Sequence, residues 1–264
     1  MAALTVNGAR LEYIDEGRGD PPFVFVHGWA CDLRVWEPQV ADLSRDHRCV
    51  SVNLRGRGNS APVPPFDTTQ QAEDVAALMR ELDLGPAIVV GHSLGGLVAL
   101  LLNDRHPELV LGVVMADSPL TAAAEGRFAR TVGVIREAGS TSPMGEFIES
   151  FFTEATPEGV KDLIREMMLT CPADVSAGML ENGEVFVERM AELIRAADKK
   201  PFMAFWPDSP RGNPDRLREI TMFLRQEPMP GAGHFFELEQ PEVTNALLRA
   251  FVDDVERDPR VEKK

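Results

Sequence analysis

The sequence has too few cysteines, too irregularly spaced, for a structure held together by disulfides or zinc. The three cysteines are Cys31, Cys49 and Cys171, and none of them forms a Cys-x-x-Cys pair. An odd number without that spacing indicates neither a disulfide framework nor a zinc site, and no other metal site is indicated. We therefore interpret them as buried thiols of a protein from a reducing compartment.

Positive charge is also scarce. The chain has 42 Asp and Glu residues against 27 Lys and Arg residues, a formal net charge of −15 at pH 7. Such a surface repels the phosphate backbone of nucleic acids and the headgroups of anionic lipids. We therefore expect a protein that binds neither nucleic acid nor a membrane surface.

Long hydrophobic runs are missing as well. No uncharged apolar stretch is long enough to cross a bilayer, and the N-terminal residues do not place an apolar run after a basic segment, as a secretory signal does. This predicts a cytoplasmic location. A chain of 264 residues without internal repeats suits one large domain that carries an insertion. Nothing in the sequence indicates the oligomeric state.

The most informative segment is an apolar stretch that leads into a serine between glycines. Ala87-Ile-Val-Val is followed by Gly91-His92-Ser93-Leu94-Gly95. This order predicts a strand, a sharp turn and a helix, which is the context of the G-x-S-x-G nucleophile motif. The glycines let the backbone turn tightly, and the free N–H groups of the helix face any negative charge that develops there. We therefore predict that Ser93 is a nucleophile for acyl transfer.

Apolar strand patterns alternate with helix patterns on both sides of a central segment. Strands are predicted at 23–26, 48–53, 111–116 and 201–206, and helices at 35–44, 70–82, 214–223 and 241–255. Residues 4–16 fit two short strands around an Asn7-Gly8 turn. The alternation predicts an α/β fold whose mostly parallel sheet has helices on both faces.

The central segment, from about 121 to 197, has a different pattern: helices rich in methionine and phenylalanine, without a strand. These side chains are Phe128, Met144, Phe147, Phe151, Phe152, Met167, Met168, Met179, Phe186 and Met190. We expect a helical cap over residues 120–199 and a core formed by residues 1–119 and 200–264. The Met and Phe side chains are expected to provide partly the packing of the cap and partly the roof of a pocket.

A serine nucleophile needs a base, and the base needs an orienting acid. Of the five histidines, four precede or adjoin Ser93 or lie at the far end of its helix. Only His234 follows later, in a Gly-x-Gly-His loop, as the Ser, acid, His chain order requires. His27 is interpreted as a structural histidine. The N–H of Trp29, in the turn after a central strand, is a candidate oxyanion donor.

Together these motifs resemble the α/β-hydrolase superfamily over almost the whole chain. The shared motifs are His27-Gly28-Trp29, Arg55-Gly-Arg-Gly-Asn-Ser60, Gly91-His-Ser-Leu-Gly-Gly96 and Gly231-Ala-Gly-His234. The resemblance implies an α/β-hydrolase fold with an inserted helical cap, in which Ser93 attacks and His234 moves the proton. It also implies an oxyanion hole formed by the N–H groups of Trp29 and Leu94. Asn53 stands where many members carry an aspartate, and we expect it to affect loop support only.

The resemblance leaves two candidates for the acid. Most members carry it after the strand that corresponds to 202–206, but that register falls on Pro210, and Asp208 comes two residues early. Another branch, with haloalkane dehalogenases and cofactor-free dioxygenases, carries it after the preceding strand, five residues beyond a glycine. Asp117 follows Gly112 in that register. We favour Asp117, with Asp208 as the alternative, and expect its carboxylate within about 3.2 Å of Nδ1 of His234.

The predicted triad fits hydrolysis of a carboxylic ester or lactone through an acyl-enzyme, a reaction that needs no cofactor. The cap composition predicts an apolar small-molecule substrate. Hydrolysis of a carbon–carbon bond in a β-diketone or dienoate fits the same triad and stays an alternative. Cofactor-free oxygenation is disfavoured because Leu94 stands where the similar dioxygenases carry a histidine. Epoxide hydrolysis and dehalogenation are disfavoured because they need an aspartate in place of Ser93.

Overall fold

The computed structural model describes residues 1–119 and 126–261. The strands in these residues are β1 (Ala2–Val6), β2 (Ala9–Glu16), β3 (Phe23–Val26), β4 (Cys49–Val52), β5 (Ala87–His92), β6 (Val110–Ala116), β7 (Phe202–Pro207) and β8 (Arg225–Met229). They form one sheet in the order β1-β2-β4-β3-β5-β6-β7-β8. The pairs β1-β2 and β2-β4 are antiparallel, and the sheet is parallel from β4 to β8.

The helices surround this sheet. In chain order they are α1 (Glu37–Leu43), α2 (Thr68–Glu81), α3 (Leu94–Arg105), α4 (Arg127–Ala138), α5 (Gly145–Glu149), α6 (Glu158–Leu169), α7 (Ala173–Met179), α8 (Glu184–Ala197), α9 (Pro214–Ile220), α10 (Phe236–Glu239) and α11 (Pro241–Arg257). Helices α2, α3 and α8 pack together, as do α1, α10 and α11. None of the helices in the described residues has both the length and the apolar character of a membrane span.

Burial explains why the parallel strands have continuous apolar sequences. Every residue of β3, β4 and β5 is buried, since helices cover both faces of a parallel sheet. Each of these strands ends at the same edge of the sheet, where ligands of open α/β folds bind. The predicted mostly parallel sheet with helices around it is confirmed.

Two predicted helices differ in extent from those observed. The helix predicted at 35–44 is a 3₁₀ turn over Leu33–Trp36 followed by α1, because the Asp32 side chain accepts the N–H of Arg34 and caps the turn. The helix predicted at 214–223 ends at Ile220, since the Asp198 carboxylate accepts the N–H groups of Met222 and Phe223 instead.

Strand β8 was not predicted. Its sequence, Arg225-Gln-Glu-Pro-Met229, has no alternating apolar pattern, because it lies at the edge of the sheet and pairs only with β7. An edge strand also tolerates a proline such as Pro228, which offers no N–H to a ladder. The strand matters for the site because the chain leaves it directly into the loop that carries His234.

The described residues between β6 and β7 form helices and turns without a strand, as the sequence predicts. Residues 120–125 of the predicted cap lie outside the described residues. Helix α8 packs against α3 of the core, and α4 packs against α7 within the insertion. We call residues 126–197 the helical insertion; its limits as a separate cap domain stay a prediction.

Candidate active site

Ser93 lies in the tight turn between β5 and α3. Its backbone has φ 51° and ψ −116°, a conformation that is uncommon for a residue with a side chain. A Cβ added to Gly91 would lie 2.3 Å from the oxygen of Gly95, and one added to Gly95 would lie 2.3 Å from the oxygen of Val26. Both glycines of the motif are therefore required by close backbone contact. The Ser93 N–H donates to the oxygen of Ala116 at 2.8 Å, which joins the turn to β6.

The structure brings Asp117 and His234 together. Asp117 follows β6, is fully buried, and has φ 40°. Its Oδ2 lies 2.6 Å from Nδ1 of His234, inside the limit that the sequence analysis set. Since a carboxylate oxygen accepts, Nδ1 carries the proton, and Nε2 is left for a substrate or for Ser93.

Asp208, the alternative acid, has a different partner. It follows β7 at an exposed position, and its Oδ2 accepts the N–H of Gly231 at 2.9 Å. This contact supports the loop three residues before His234. The position beside the imidazole is occupied by Asp117.

Burial controls the protonation of this pair. It lowers the pKa of His234 well below its ordinary value of 6.5, and the positive charge of Arg211 lowers that pKa further. Burial raises the pKa of Asp117 to about 7, against the opposing effects of the Arg211 N–H and the positive charge of Arg211. Two groups 2.6 Å apart titrate as one unit. In its deprotonated state the pair has an ionised Asp117 that accepts from a neutral His234.

The proposed oxyanion donors lie beside the nucleophile. Trp29 and Leu94 line the same cavity as Ser93. Among the described residues, neither backbone N–H donates to another residue. The indole Nε1 of Trp29 donates to the oxygen of Ser176 at 2.9 Å, which holds the ring against α7. Trp29 and Leu94 therefore offer two backbone N–H groups at the wall of the cavity that Ser93 lines, and their role as an oxyanion hole stays a prediction.

The turn that carries Trp29 is held by His27. The His27 Nδ1 donates to the oxygen of Gly28 at 2.9 Å, and its Nε2 accepts the N–H of Leu54 at 3.1 Å. Burial lowers the pKa of His27 to about 4, so the ring stays neutral and can make both contacts. The interpretation of His27 as a structural histidine is confirmed.

Asn53 supports the neighbouring loop, as expected. Its Oδ1 accepts the N–H of Leu33 at 2.8 Å, and its Nδ2 donates to Oε2 of Glu12 at 2.7 Å. An aspartate could accept from Leu33 but would face the Glu12 carboxylate with a second negative charge, so the amide fits this chain better.

Ser93 and His234 line a cavity of about 220 Å³. The helical insertion contributes its apolar side chains Phe128, Met144, Phe147, Phe151, Met168 and Leu180. Other Met and Phe residues of the insertion are buried in the core instead, namely Met167, Met179, Phe186 and Met190. The expectation that these side chains divide between packing and the roof of a pocket is confirmed. In the described residues, no group of three or more His, Cys, Asp or Glu side chains is arranged to hold a metal ion.

Sequence reasoning named Phe151 and His92 but did not predict that they contact the imidazole, and it did not single out Arg211. The Phe151 ring stacks on the His234 ring, with 4.5 Å between centroids, and the His92 ring lies 4.5 Å away as well. The backbone N–H of Arg211 donates to Oδ1 of Asp117 at 2.8 Å. No local pattern marks Phe151 or Arg211, because both reach the site through the packing of distant segments. The described residues make no hydrogen bond to the Ser93 hydroxyl, and such catalytic contacts often tighten only with substrate.

Comparisons with known proteins identify the family and the fold. A family model described as the alpha/beta hydrolase family matches residues 23–247. A thermophilic esterase from Thermogutta terrifontis has the same fold, with a TM-score of 0.83 and 23% identity over 96% of this chain and 97% of that one. The enol-lactonase from Burkholderia xenovorans has a TM-score of 0.83 and 24% identity, over 96% of this chain and 100% of that one. A 2-(acetamidomethylene)succinate hydrolase from Mesorhizobium japonicum is 26% identical over 92% of this chain and 91% of its own length.

Proposed function

Because the chain belongs to the alpha/beta hydrolase family, we propose that it hydrolyses a carboxylic ester or lactone of a small apolar molecule through a serine acyl-enzyme. The observation that carries this proposal is the 2.6 Å contact of Asp117 with His234, in a cavity that both His234 and Ser93 line. An esterase and an enol-lactonase share the fold, which supports an open or cyclic ester as substrate.

The reaction begins when His234 Nε2 takes the proton of the Ser93 hydroxyl and Oγ attacks the ester carbon. Asp117 stabilises the imidazolium that forms. The N–H groups of Trp29 and Leu94 donate to the carbonyl oxygen as it becomes negative. Collapse of the intermediate breaks the bond to the alcohol oxygen, which takes the proton from His234. A water molecule then gives a proton to His234 and attacks the acyl-enzyme. The bond to Ser93 Oγ breaks, Oγ takes that proton back from His234, and the carboxylic acid is released.

The cavity favours a compact acyl group. Its volume of about 220 Å³ lies below the range of roughly 300–1,000 Å³ typical of small-molecule sites. Aromatic rings and methionine side chains from the helical insertion form much of its lining. Acyl groups of short to medium length, or a single aromatic ring, therefore match the site in size and polarity.

The experiment that tests this proposal measures kcat/KM for p-nitrophenyl esters of rising acyl length, aryl esters, lactones and one β-diketone. Wild type and Ser93→Ala are compared, and a fluorophosphonate probe is used to label the nucleophile. We expect neutral short esters or lactones to be the best substrates and the label to map to Ser93. Ser142→Ala is the control, since Ser142 begins a 3₁₀ turn of the insertion and is exposed.

Other outcomes would contradict specific parts of the proposal. Hydrolysis by Ser93→Ala at the wild-type rate would exclude the serine mechanism. Turnover of the β-diketone alone would select carbon–carbon bond cleavage instead. Activity confined to charged or sugar esters would contradict the assignment of an apolar substrate.

A further inference from the structure

The imidazole of His234 is held between two rings. Phe151, which follows α5 in the helical insertion, stacks on it with 4.5 Å between centroids and 27° between planes. The His92 ring lies 4.5 Å away at 51°. The backbone is held as well, because the His234 N–H donates to the oxygen of Phe151 and its oxygen accepts from Nε2 of His92, each at 2.9 Å. The insertion therefore contacts the proposed base directly.

Arg211 joins this stack to the proposed acid. Its Cζ lies 4.6 Å from the centroid of the Phe151 ring. Its Nη2 donates to the oxygen of Ser150 at 2.6 Å and to the hydroxyl of Ser150 at 3.1 Å, which fixes the guanidinium beside the ring. The backbone N–H of the same residue donates to Oδ1 of Asp117 at 2.8 Å. One residue is thus bonded to the acid through its backbone and to the support of the base through its side chain.

The charge of Arg211 favours the deprotonated form of the pair. Besides Arg211, the titratable groups around His234 are Asp117 after β6, His92 at the end of β5, and Glu237 and Glu239 of α10. Asp117 and His92 contact its ring, Glu237 lies 3.6 Å from the His92 ring, and Glu239 accepts the N–H of Gly233. Burial lowers the pKa of His92 well below 6.5 and raises the pKa of Glu237 and Glu239 above 4.5, which favours the neutral form of each. The Arg211 charge lowers the pKa of His234 and of Asp117 alike. A cation beside a buried pair stabilises the state with one proton fewer.

We propose that Arg211 is a positioning residue for this site, which aligns the imidazole through Phe151 and keeps the Asp117–His234 pair deprotonated. The inference rests on the proposed serine hydrolysis, in which only neutral His234 can accept the Ser93 proton. The proposed role of Arg211 concerns the Asp117–His234 pair and does not depend on which acyl group is hydrolysed.

The test is the pH profile of kcat/KM for a neutral substrate, p-nitrophenyl acetate, in wild type, Arg211→Met and Arg211→Lys. Loss of the cation makes the pair easier to protonate, so the acid limb of Arg211→Met moves to higher pH, by about 0.5 to 1 unit for a nearby partly screened charge. Arg211→Lys keeps the charge and is expected to recover most of that shift. A ¹⁵N-histidine NMR titration follows the protonation of His234 without measuring activity. The midpoint is expected to be highest in Arg211→Met and close to the wild-type value in Arg211→Lys.

The outer face of the helical insertion offers a matched control. Arg165 lies over the ring of Phe152, 5.5 Å from its centroid, in the same kind of pair one residue along the chain. Arg165→Met removes a cation from a half-buried pair that does not line the cavity and is expected to leave the acid limb in place. A second variant, Phe151→Leu, keeps the backbone bond to His234 but removes the stack, and kcat is expected to fall about tenfold or more as the imidazole loses its alignment.

Three results would overturn the inference. These are an unchanged acid limb in Arg211→Met, an equal shift in Arg211→Met and Arg211→Lys, or a wild-type kcat in Phe151→Leu. If either Arg211 variant does not fold, the Phe151→Leu measurement decides. The failure of the proposed function is distinguishable, because it requires that Ser93→Ala remain active, whereas these results leave Ser93→Ala inactive.

Discussion

The sheet edge and the helical insertion build the same cavity in different ways. At the sheet edge, short turns after β5 and β6 impose unusual backbone angles, φ 51° at Ser93 and φ 40° at Asp117. The insertion contributes ordinary helices whose apolar side chains close the space. The comparison indicates that backbone geometry places the proposed nucleophile and acid, whereas side-chain packing shapes the cavity and, at Phe151, holds the imidazole of His234.

The sheet edge and the helical insertion also differ in how much space surrounds some of their glycines. A Cβ added to Gly96, three residues after the proposed nucleophile, would lie 2.0 Å from Oγ of Ser118. A Cβ added to Gly133, Gly145 or Gly159 in the insertion would have nothing within 4 Å. The sheet edge therefore has little room for variation, whereas parts of the insertion can change without disturbing the reacting groups.

The largest effects are expected from the reacting side chains at the sheet edge. Ser93→Ala and His234→Ala are each expected to lower kcat by about 10⁴- to 10⁶-fold, since each removes a member of a unit that works only when complete. For the same reason, the double variant is expected to be scarcely worse than either single variant. Steady-state kinetics with a short p-nitrophenyl ester measures this. If the losses of the two single variants were additive in the double variant, the assignment of Ser93 and His234 to one triad would be contradicted.

A smaller loss of kcat is expected from substitution of the proposed acid. It distinguishes the turn after β6, which carries Asp117, from the turn after β7, which carries Asp208. Asp117→Asn keeps the shape of the side chain but removes the charge that orients His234, so kcat is expected to fall by about 10³- to 10⁴-fold. Asp208→Asn can still accept the N–H of Gly231 through its amide oxygen. Its cost is expected to be about tenfold at most, because only the loop before His234 is affected.

Steady-state kinetics measures kcat for both variants. Circular dichroism checks that each variant retains the fold. A loss in Asp208→Asn as large as that in Asp117→Asn would show that the loop matters as much as the charge. The sheet edge would then depend on side-chain support in the way that the insertion does.

The sequence predicts those features of the sheet edge that depend on neighbouring residues, and it does not predict those that depend on distant ones. The turn at Ser93 was predictable because its strand, glycines and helix are neighbours in sequence. The register after Gly112 favoured Asp117 only through the family resemblance, which left Asp208 as an alternative. Strand β8 was not predictable, because an edge strand with Pro228 needs no apolar alternation. The end of α9 depends on Asp198, more than 20 residues earlier in the chain.

The groups around His234 were out of reach for a related reason. Phe151 and Arg211 are 60 residues apart in sequence, yet the guanidinium of Arg211 lies over the ring of Phe151. Neither has a motif, and an arginine in a loop is usually a solvated surface residue. Contacts of this kind depend on how the insertion packs against the sheet edge, and composition predicts only that it will be apolar.

The smallest effect, and the sharpest test of the comparison, is expected from the roof of the cavity. Phe147 lines the cavity, and its ring packs edge-on against Phe151 at 4.8 Å and lies 6.3 Å from Trp29. Phe147→Ala removes an aromatic ring from the lining of the cavity that Ser93 shares, so longer acyl chains gain room. We expect the ratio of kcat/KM for an octanoate ester to that for an acetate ester to rise roughly tenfold.

Phe152→Ala is the matched control for this substitution, since Phe152 is half-buried, pairs with Arg165 and does not line the cavity. Its ratio of octanoate to acetate activity is expected to stay near the wild-type value. If Phe147→Ala instead lowers kcat equally for every ester without changing the ratio, the roof acts on the reacting groups, through Phe151 and His234. Phe147 would then support the imidazole together with Phe151 and would not set the length of the acyl group, so the assignment of this ring to the shape of the cavity would fail.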